Sequence, residues 1–409
     1  MVATCAGIQN EKHCLNRLVE PRAMEIVMKY LKVLCGIGFF VVLVSNVWSI
    51  TGWNEIRGVY DDICYLRQAH LFQKFGLKGL DTDISGDDDG YLTGKLKEID
   101  FPTWSDATTA PCHTLMPATN KLVMQYPPGT GFMLALFPSG FQVIPLYVLT
   151  SVVAFGFAVA ATVWASGIFS LLLVAAFGDA AIYLMINPTK ASYSMAPTMM
   201  VCALAGFLTA KLFTSDGRRH QLLLTILIGL LMGLAVNFRL ANLFLSAGYF
   251  VFFLVSFVRS RKIERALQGL LFGMAFLIGI APTLLANAIN AGSPFSTTYG
   301  GADVAPPELN SGVLWAYFAD LQFVLLVIAG IWAALMLRLS HQNGTRQLAL
   351  VIGGNLVVNL IFFMTHPVFT PYYTIPVAML SLWTLLFATL IPVRESIGDS
   401  VAFRQPVKA

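Results

Sequence analysis

Long runs of apolar residues recur between residues 31 and 391, separated by shorter polar segments. A helix needs about 20 mostly apolar residues to cross a bilayer. Ten stretches meet that requirement: 31–50, 143–165, 167–186, 193–213, 221–238, 240–258, 266–289, 314–337, 347–364 and 372–391. A shorter stretch at 129–140 would add a partial span. This pattern predicts an all-α polytopic membrane protein with about 10–11 transmembrane helices.

The composition supports a membrane protein. The 409 residues are 56% hydrophobic and 12% charged, whereas soluble domains are about 25% charged. The mean hydropathy is +0.70, so a water-soluble fold could not bury the apolar surface, and the bilayer must surround most of the chain. The net charge of +4 is weak evidence for a nucleic-acid partner, and we expect membrane lipids instead.

Lysine and arginine cluster in those segments that ten spans would place on one side of the membrane. The clusters fall within 12–29, 218–219, 259–265, 338–346 and 394–408. Because such residues mark cytoplasmic loops, we expect both termini in the cytoplasm. Residues 1–30 and 392–409 are then cytoplasmic tails, 31–50 is an uncleaved signal anchor and 129–391 is a helical bundle. The scarcity of glycosylation sequons in the other loops favours a bacterial inner membrane.

The same argument places the loop 51–128 on the extracytoplasmic side. Nearly eighty residues are too many for a simple connection, and the apolar spacing within 60–75 predicts a helix. Cys64 and Cys112 both fall in this loop. On an extracytoplasmic side they would form a disulfide or remain two free thiols, and the sequence leaves both options open.

Two adjacent carboxylates, Asp61 and Asp62, follow the first span closely. Paired carboxylates repel each other and persist where one needs a raised pKa or where a ligand lies between them. The alternative is a solvated acidic turn paired with Arg57 or Arg67. The loop ends in a second feature, the segment 125–132, whose two prolines and two glycines predict a rigid turn that shapes a site or simply re-enters the membrane.

An acidic run at 81–90 is the candidate metal site. The run has oxygen-bearing side chains, including Asp81, Asp83 and Asp87, at the spacing found in the first part of a calcium-binding loop. Leu92, however, occupies the position where such a loop needs a bidentate glutamate. The two interpretations are a weak divalent-cation site and a solvated acidic loop.

Together these features resemble the C-type (GT-C) integral membrane glycosyltransferases, such as protein O-mannosyltransferases and lipid A aminoarabinose transferases. The matching residues are Asp61-Asp62-x-x-Tyr65 at the start of the first large loop and Tyr126-Pro127-Pro128-Gly129 at its end. The resemblance implies an enzyme that moves a sugar from a polyprenyl-phosphate carrier to a lipid, glycan or protein hydroxyl at the outer face. It implies that Asp61 is the general base, whereas Asp62 replaces a more usual glutamate and orients Asp61 or binds sugar hydroxyls.

The departing phosphate needs a cation near the membrane surface. Arg239, Lys190 and His366 lie on the appropriate side. Alternatively, Arg239 extends its side chain to lipid headgroups. For His366, the alternative is a turn residue without a ligand. Tyr65, Tyr126, Pro128 and Tyr299 are the candidate pocket residues, and the loop that carries Tyr299 also fits a plain surface loop. The acidic residue that many relatives carry shortly after the turn 187–193 is missing.

The sequence leaves another class of function open. A secondary transporter or a flippase for lipid-linked glycans would need ionisable residues near mid-membrane and two related halves. Asp179 and Asp320 lie within apolar runs, where a carboxylate is by default functional or paired. No similarity between the halves is evident, and a non-catalytic assembly partner is a third option.

Overall fold

The computed structural model describes residues 8–56, 60–86, 88–186, 192–215, 217–300, 306–366 and 369–391. The helices are α1 (Ile8–Thr51), α2 (Tyr60–Phe75), α3 (Tyr91–Glu98), α4 (Gly129–Ala135), α5 (Val143–Trp164), α6 (Ile168–Ile186), α7 (Met195–Thr214), α8 (Arg218–Phe238), α9 (Ala247–Ser260), α10 (Ile263–Ala291), α11 (Ser311–Ala319), α12 (Phe323–Leu339), α13 (Asn343–Thr365) and α14 (Thr374–Leu390). The strands β1 (His113–Met116) and β2 (Lys121–Met124) pair antiparallel, with His113 opposite Met124.

The predicted all-α polytopic architecture is confirmed. Seven helices of the described chain are long and apolar enough to cross a membrane: Met24–Thr51, Val143–Trp164, Met195–Thr214, Arg218–Phe238, Leu240–Ser260, Ile263–Ala291 and Asn343–Thr365. The pair α11 and α12 meets the length and hydropathy requirement only together and is bent by 80°, and α6 and α14 contain shorter apolar helices. Each of these overlaps one predicted stretch. Residues 129–140 instead contain the seven-residue α4, which is too short to span.

Small residues allow the helices to pack closely. A Cβ on Gly279 would approach the Leu234 nitrogen of α8 to 2.9 Å, so α10 and α8 are nearly in backbone contact there. Asn237 joins the same two helices, since its Nδ2 donates to the Gly279 carbonyl at 2.7 Å and its Oδ1 accepts from the Thr283 backbone at 2.9 Å. Polar bonds of this kind fix helix ends in a medium without water. The C-terminal end of α8 is therefore rigidly placed.

The large loop is folded around a buried arginine. The predicted helix at 60–75 is confirmed as α2, and its Arg67 is fully buried. The Arg67 guanidinium donates to Asp88 Oδ2 at 3.0 Å, to the Thr82 carbonyl at 3.0 Å and to the Asp83 carbonyl at 3.2 Å. These charge-assisted bonds hold the acidic run against α2.

The loop is also tied to the bundle. Asn290, near the end of α10, donates to the Leu80 carbonyl at 2.8 Å and accepts from the Thr82 backbone at 3.0 Å. A disulfide joins Cys64 of α2 to Cys112, whose Cα atoms are 6.6 Å apart. Disulfides persist in oxidising compartments, so this bond agrees with the expected side of the loop.

Candidate functional site

The first turn of α2 places Asp61 beside two tyrosines. The Tyr126 hydroxyl donates to Asp61 Oδ1 at 2.6 Å, and the Tyr65 ring stacks on the Tyr126 ring with centroids 4.8 Å apart. Tyr65 follows Asp61 by four residues and therefore lies on the same helix face. Burial and the nearby Asp61 carboxylate raise the pKa of Tyr126 and of Tyr65. Both hydroxyls consequently stay protonated, and that of Tyr126 donates to Asp61.

The two adjacent carboxylates occupy different environments. Asp62 is 1% exposed, whereas Asp61 is partly exposed. The salt bridge of Arg67 goes to Asp88, and Arg57 lies outside the described residues. Because Asp62 is buried so deeply, it is not part of a solvated acidic turn. Asp61 is the more accessible carboxylate of the pair.

The turn after Tyr126 packs closely against the C-terminal end of α8. A Cβ on Gly129 would lie 2.7 Å from the Asn237 carbonyl oxygen, so only glycine fits without a shift. The Thr130 hydroxyl donates to the Phe238 carbonyl at 3.1 Å. Pro128 caps the start of α4 at this point. The turn thus fixes the residue that follows Phe238, which is Arg239.

Arg239 lies between two tyrosine rings. It leaves α8 in an extended conformation and is 9% exposed. The centre of its guanidinium lies 4.3 Å from the Tyr372 ring centroid and 4.2 Å from the Tyr373 centroid. Two desolvated cation–π contacts hold the charge in place. Sequence reasoning missed both tyrosines, because nothing local links residues 372–373 to residue 239.

Asp61 and Arg239 converge on one cluster of aromatic residues. Tyr65 and Tyr372 each interact electrostatically with both Asp61 and Arg239. Tyr299 interacts with Arg239, and its ring centroid lies 6.0 Å from that of Tyr126. We call this set the tyrosine cluster; its members are Tyr65, Tyr126, Tyr299, Tyr372 and Tyr373. The Asp61 carboxylate and the Arg239 guanidinium therefore interact with the same group of tyrosines.

The other candidate cations are placed differently. His366 ends α13, is buried, and has its ring centroid 5.8 Å from that of Tyr373. It therefore lies next to one of the two tyrosines that contact Arg239, with the two rings tilted by 54°. Lys190 lies outside the described residues.

In the described part of the acidic run, the carboxylates bind separate partners. Asp81 pairs with Lys121 at 2.7 Å, Asp83 accepts from the Ser85 hydroxyl at 2.6 Å, and Asp87 lies outside the described residues. Since the described carboxylates bind separate partners, the solvated acidic loop describes them better than a calcium-type loop.

One group with metal-ligand atoms does meet in the described chain: Cys64, Cys112 and His113. The two sulfurs are bonded to each other, and His113 Nδ1 lies 2.7 Å from the Pro111 carbonyl oxygen. Burial and the neighbouring Arg67 charge lower the pKa of His113 to about 4, so the ring is neutral at neutral pH. This group consequently works as a cross-link with a buried neutral histidine.

A large apolar groove borders the site. It encloses about 1160 Å³ between α2, α4, α8 and α10. Among its described lining residues are Phe72, Leu80, Phe132, Leu234, Ile278 and Leu285, and Lys78 brings a cation. The groove is also lined by Pro128, Gly129 and Phe238. These residues belong to the contact between the turn and the end of α8, so the same contact that precedes Arg239 also borders the groove. Lys78 was not predicted, because only the fold brings it to the groove.

Comparison of the chain with family models, with curated proteins and with solved structures finds no match.

Proposed function

We propose that the protein is a membrane glycosyltransferase that moves a sugar from a polyprenyl-phosphate carrier to an acceptor hydroxyl at the outer face of a membrane. The observation that carries the proposal is the tyrosine cluster, in which Tyr126 binds Asp61 while Tyr372 and Tyr373 contact Arg239. A general base and a phosphate-binding cation are the two groups that this transfer requires. The resemblance to C-type glycosyltransferases rests on the same carboxylate and on the Pro127-Pro128 turn.

In the proposed reaction the acceptor oxygen attacks the anomeric carbon and loses its proton to Asp61. The bond between that carbon and the phosphate oxygen breaks, and polyprenyl phosphate leaves with the bonding electrons. The attack from the opposite face inverts the anomeric configuration. Tyr126 holds Asp61 through Oδ1, which directs Oδ2 as the oxygen that takes the proton.

Arg239 is the residue proposed to bind the departing phosphate. Its two ring contacts hold the guanidinium in one position, and a fixed donor needs no reorganisation during the reaction. The tyrosine hydroxyls around it are further donors for phosphate or sugar oxygens.

The apolar groove supports a lipid-linked donor. A cavity of about 1160 Å³ with apolar walls suits isoprenoid units better than a soluble nucleotide sugar. It borders the turn at Pro128 and Gly129, so a lipid chain in the groove would bring its phosphate to the end of α8. Lys78 is a second cation on that route.

The disulfide and the charge pattern support the outer side for this site. Cys64 and Cys112 are bonded, which fits an oxidising compartment. The predicted cytoplasmic basic clusters 218–219, 259–265 and 338–346 lie at those ends of their helices that are opposite to the site. A multi-pass protein of a bacterial inner membrane, with both termini cytoplasmic, is the proposed setting.

The groove also keeps a flippase for lipid-linked glycans as the second candidate. A flippase uses lipid binding without a general base. A flippase would need ionisable residues within the bundle, and Asp320 was one candidate. Its Oδ1 accepts a hydrogen bond from the Gln322 backbone N–H at 3.0 Å, so this carboxylate has a structural role at the start of α12. The partly buried Asp179 on α6 remains as a titratable group within the bundle.

The test is Asp61→Asn in the purified full-length chain, assayed in proteoliposomes for transfer of labelled sugar from a polyprenyl-phosphate donor. Asparagine keeps an oxygen for Tyr126 and cannot accept the proton, so we expect transfer to fall by about 10²- to 10⁴-fold. Asp100→Asn, an exposed position in the same loop, is the matched control. If the Asp61→Asn variant transferred sugar as the wild type does, the proposed mechanism would be wrong. If both variants translocated the donor without transferring sugar, the flippase would be favoured.

A further inference from the structure

Helix α11 exposes large apolar side chains and contains no charged residue. Trp315 is 74% exposed, Phe318 58% and Leu321, just beyond the helix, 82%. The opposite face, with Val313 and Tyr317, is buried against the bundle. A helix of this composition does not tolerate water on its exposed side. The side chains therefore need lipid as their surroundings.

The geometry of α12 gives the depth of α11. At 1.5 Å per residue the 17 residues of α12 span ~26 Å, which is shorter than the roughly 30 Å hydrocarbon core. An α12 that crosses along the membrane normal would use nearly all of its length in the core, which would place its N-terminal end near one boundary. Because α11 is bent by 80° from α12, α11 would then run nearly parallel to the membrane plane. Tryptophan is enriched at that depth.

The buried face of α11 is bonded to the segment that leads to the site. The Tyr317 hydroxyl donates to the Thr370 carbonyl at 3.3 Å and accepts from the Thr370 N–H at 3.2 Å. The Tyr317 ring meets the Phe369 ring edge-on with centroids 4.7 Å apart. Two and three residues after Thr370 come Tyr372 and Tyr373, which flank Arg239.

We propose that α11 lies in the plane of the membrane interface, with Trp315 and Phe318 in lipid, and that Tyr317 is a positioning residue for Arg239. Tyr317 fixes Thr370, and Thr370 fixes the two tyrosines that hold the guanidinium. The lipid boundary thereby sets the height of the cation above the hydrocarbon core. The role assigned to Arg239 rests on the proposed function, whereas the membrane placement of α11 stands without it.

Quenching measures the placement of α11. Phe318→Cys is labelled with a polarity-sensitive fluorophore in a full-length chain whose cysteines outside the 64–112 bridge are serine, reconstituted in phosphatidylcholine–phosphatidylglycerol vesicles. We expect quenching by lipids that carry a doxyl group near the headgroup and protection from aqueous iodide. Glu308→Cys, an exposed position just before α11, is the control and should be quenched by iodide. Equal iodide quenching at the two positions would overturn the placement.

A double-mutant cycle measures the positioning role. Tyr317→Phe keeps the ring and removes both hydrogen bonds, and we expect it to weaken binding of polyprenyl phosphate about five- to tenfold. In an Arg239→Gln background the same change should have no further effect. Equal losses in both backgrounds would mean that Tyr317 acts only on general stability, and the coupling would be wrong. A wild-type chain that binds no polyprenyl phosphate would contradict the proposed function and the role of Tyr317 together, while the quenching result would still decide the placement of α11.

Discussion

Replacing Arg239 with glutamine removes the cation that contacts Tyr372 and Tyr373 while keeping a polar, uncharged side chain. The guanidinium is 9% exposed and lies 4.2–4.3 Å from both ring centroids, so no nearby solvent replaces it. If Arg239 binds the donor phosphate, the loss should appear both in donor affinity and in transfer. Arg239→Lys keeps the charge and loses the planar fork, so it separates charge from geometry.

The expected magnitude follows from the number of bonds. A hydrogen bond to a charged group contributes about 1.5–3 kcal/mol, and a bidentate arginine–phosphate pair makes two of them. Arg239→Gln should therefore lose about 3–6 kcal/mol of transition-state stabilisation, which corresponds to a fall of about 10²- to 10⁴-fold in kcat/KM. Arg239→Lys should lose about half of that free energy, because one donor direction survives.

The assay combines equilibrium binding of polyprenyl phosphate with sugar transfer in proteoliposomes, for both variants and the wild type. Arg338→Gln, at an exposed position at the far end of α12, is the matched control, and we expect it to leave both quantities unchanged. Size-exclusion profiles and thermal midpoints establish that each variant is folded. A folded Arg239→Gln protein that binds polyprenyl phosphate as the wild type does would refute the reasoning.

The remaining predictions concern the frame of the site. Gly129→Ala should destabilise the fold by about 1–3 kcal/mol through overpacking against α8, seen as a lower thermal midpoint, whereas Gly156→Ala, with open space around it, should leave the midpoint unchanged. The pKa of His113 is about 4 in the folded loop and 6.5 as its ordinary value, so the unfolded chain binds more protons between these values. Stability should therefore fall by at most about 3 kcal/mol as the pH drops from 6.5 to 4, and an equally steep fall in His113→Gln would argue against this cause. Cutting the disulfide with Cys64→Ser and Cys112→Ser, 48 residues apart, should cost about 4 kcal/mol in the chain-entropy model. Thiol labelling of the unreduced native protein at these positions would contradict the bond itself.

The membrane-spanning helices were predictable because hydropathy is local. An apolar stretch of about 20 residues must hydrogen-bond its own backbone in lipid, so its helical state follows from composition alone. The helix at 60–75 followed from apolar spacing in the same way. The helix ends were less predictable. Helix α1 begins well before residue 31, and the predicted stretch 314–337 is broken at Asp320 into α11 and α12.

The site was predictable only in part. Asp61 and Tyr126 were found as motif residues, and their hydrogen bond needed only that the loop ends meet. The partners of Arg239 could not be found, because Tyr372 comes from a turn more than 130 residues later and a cation–π contact leaves no spacing signal. Arg67 was considered as a partner of the acidic pair and instead binds Asp88, since burial on α2 turned it to the other side of the helix.

The tyrosine cluster combines residues from α2, the turn before α4, the loop after α10 and the segment before α14. During synthesis these segments emerge in that order, and the pair that flanks Arg239 comes last. A nascent chain in which α8 and the large loop are already folded therefore still lacks the residues that hold the guanidinium. Insertion of α14 brings these two tyrosines to the guanidinium, so a nascent chain that ends before α14 lacks a complete tyrosine cluster.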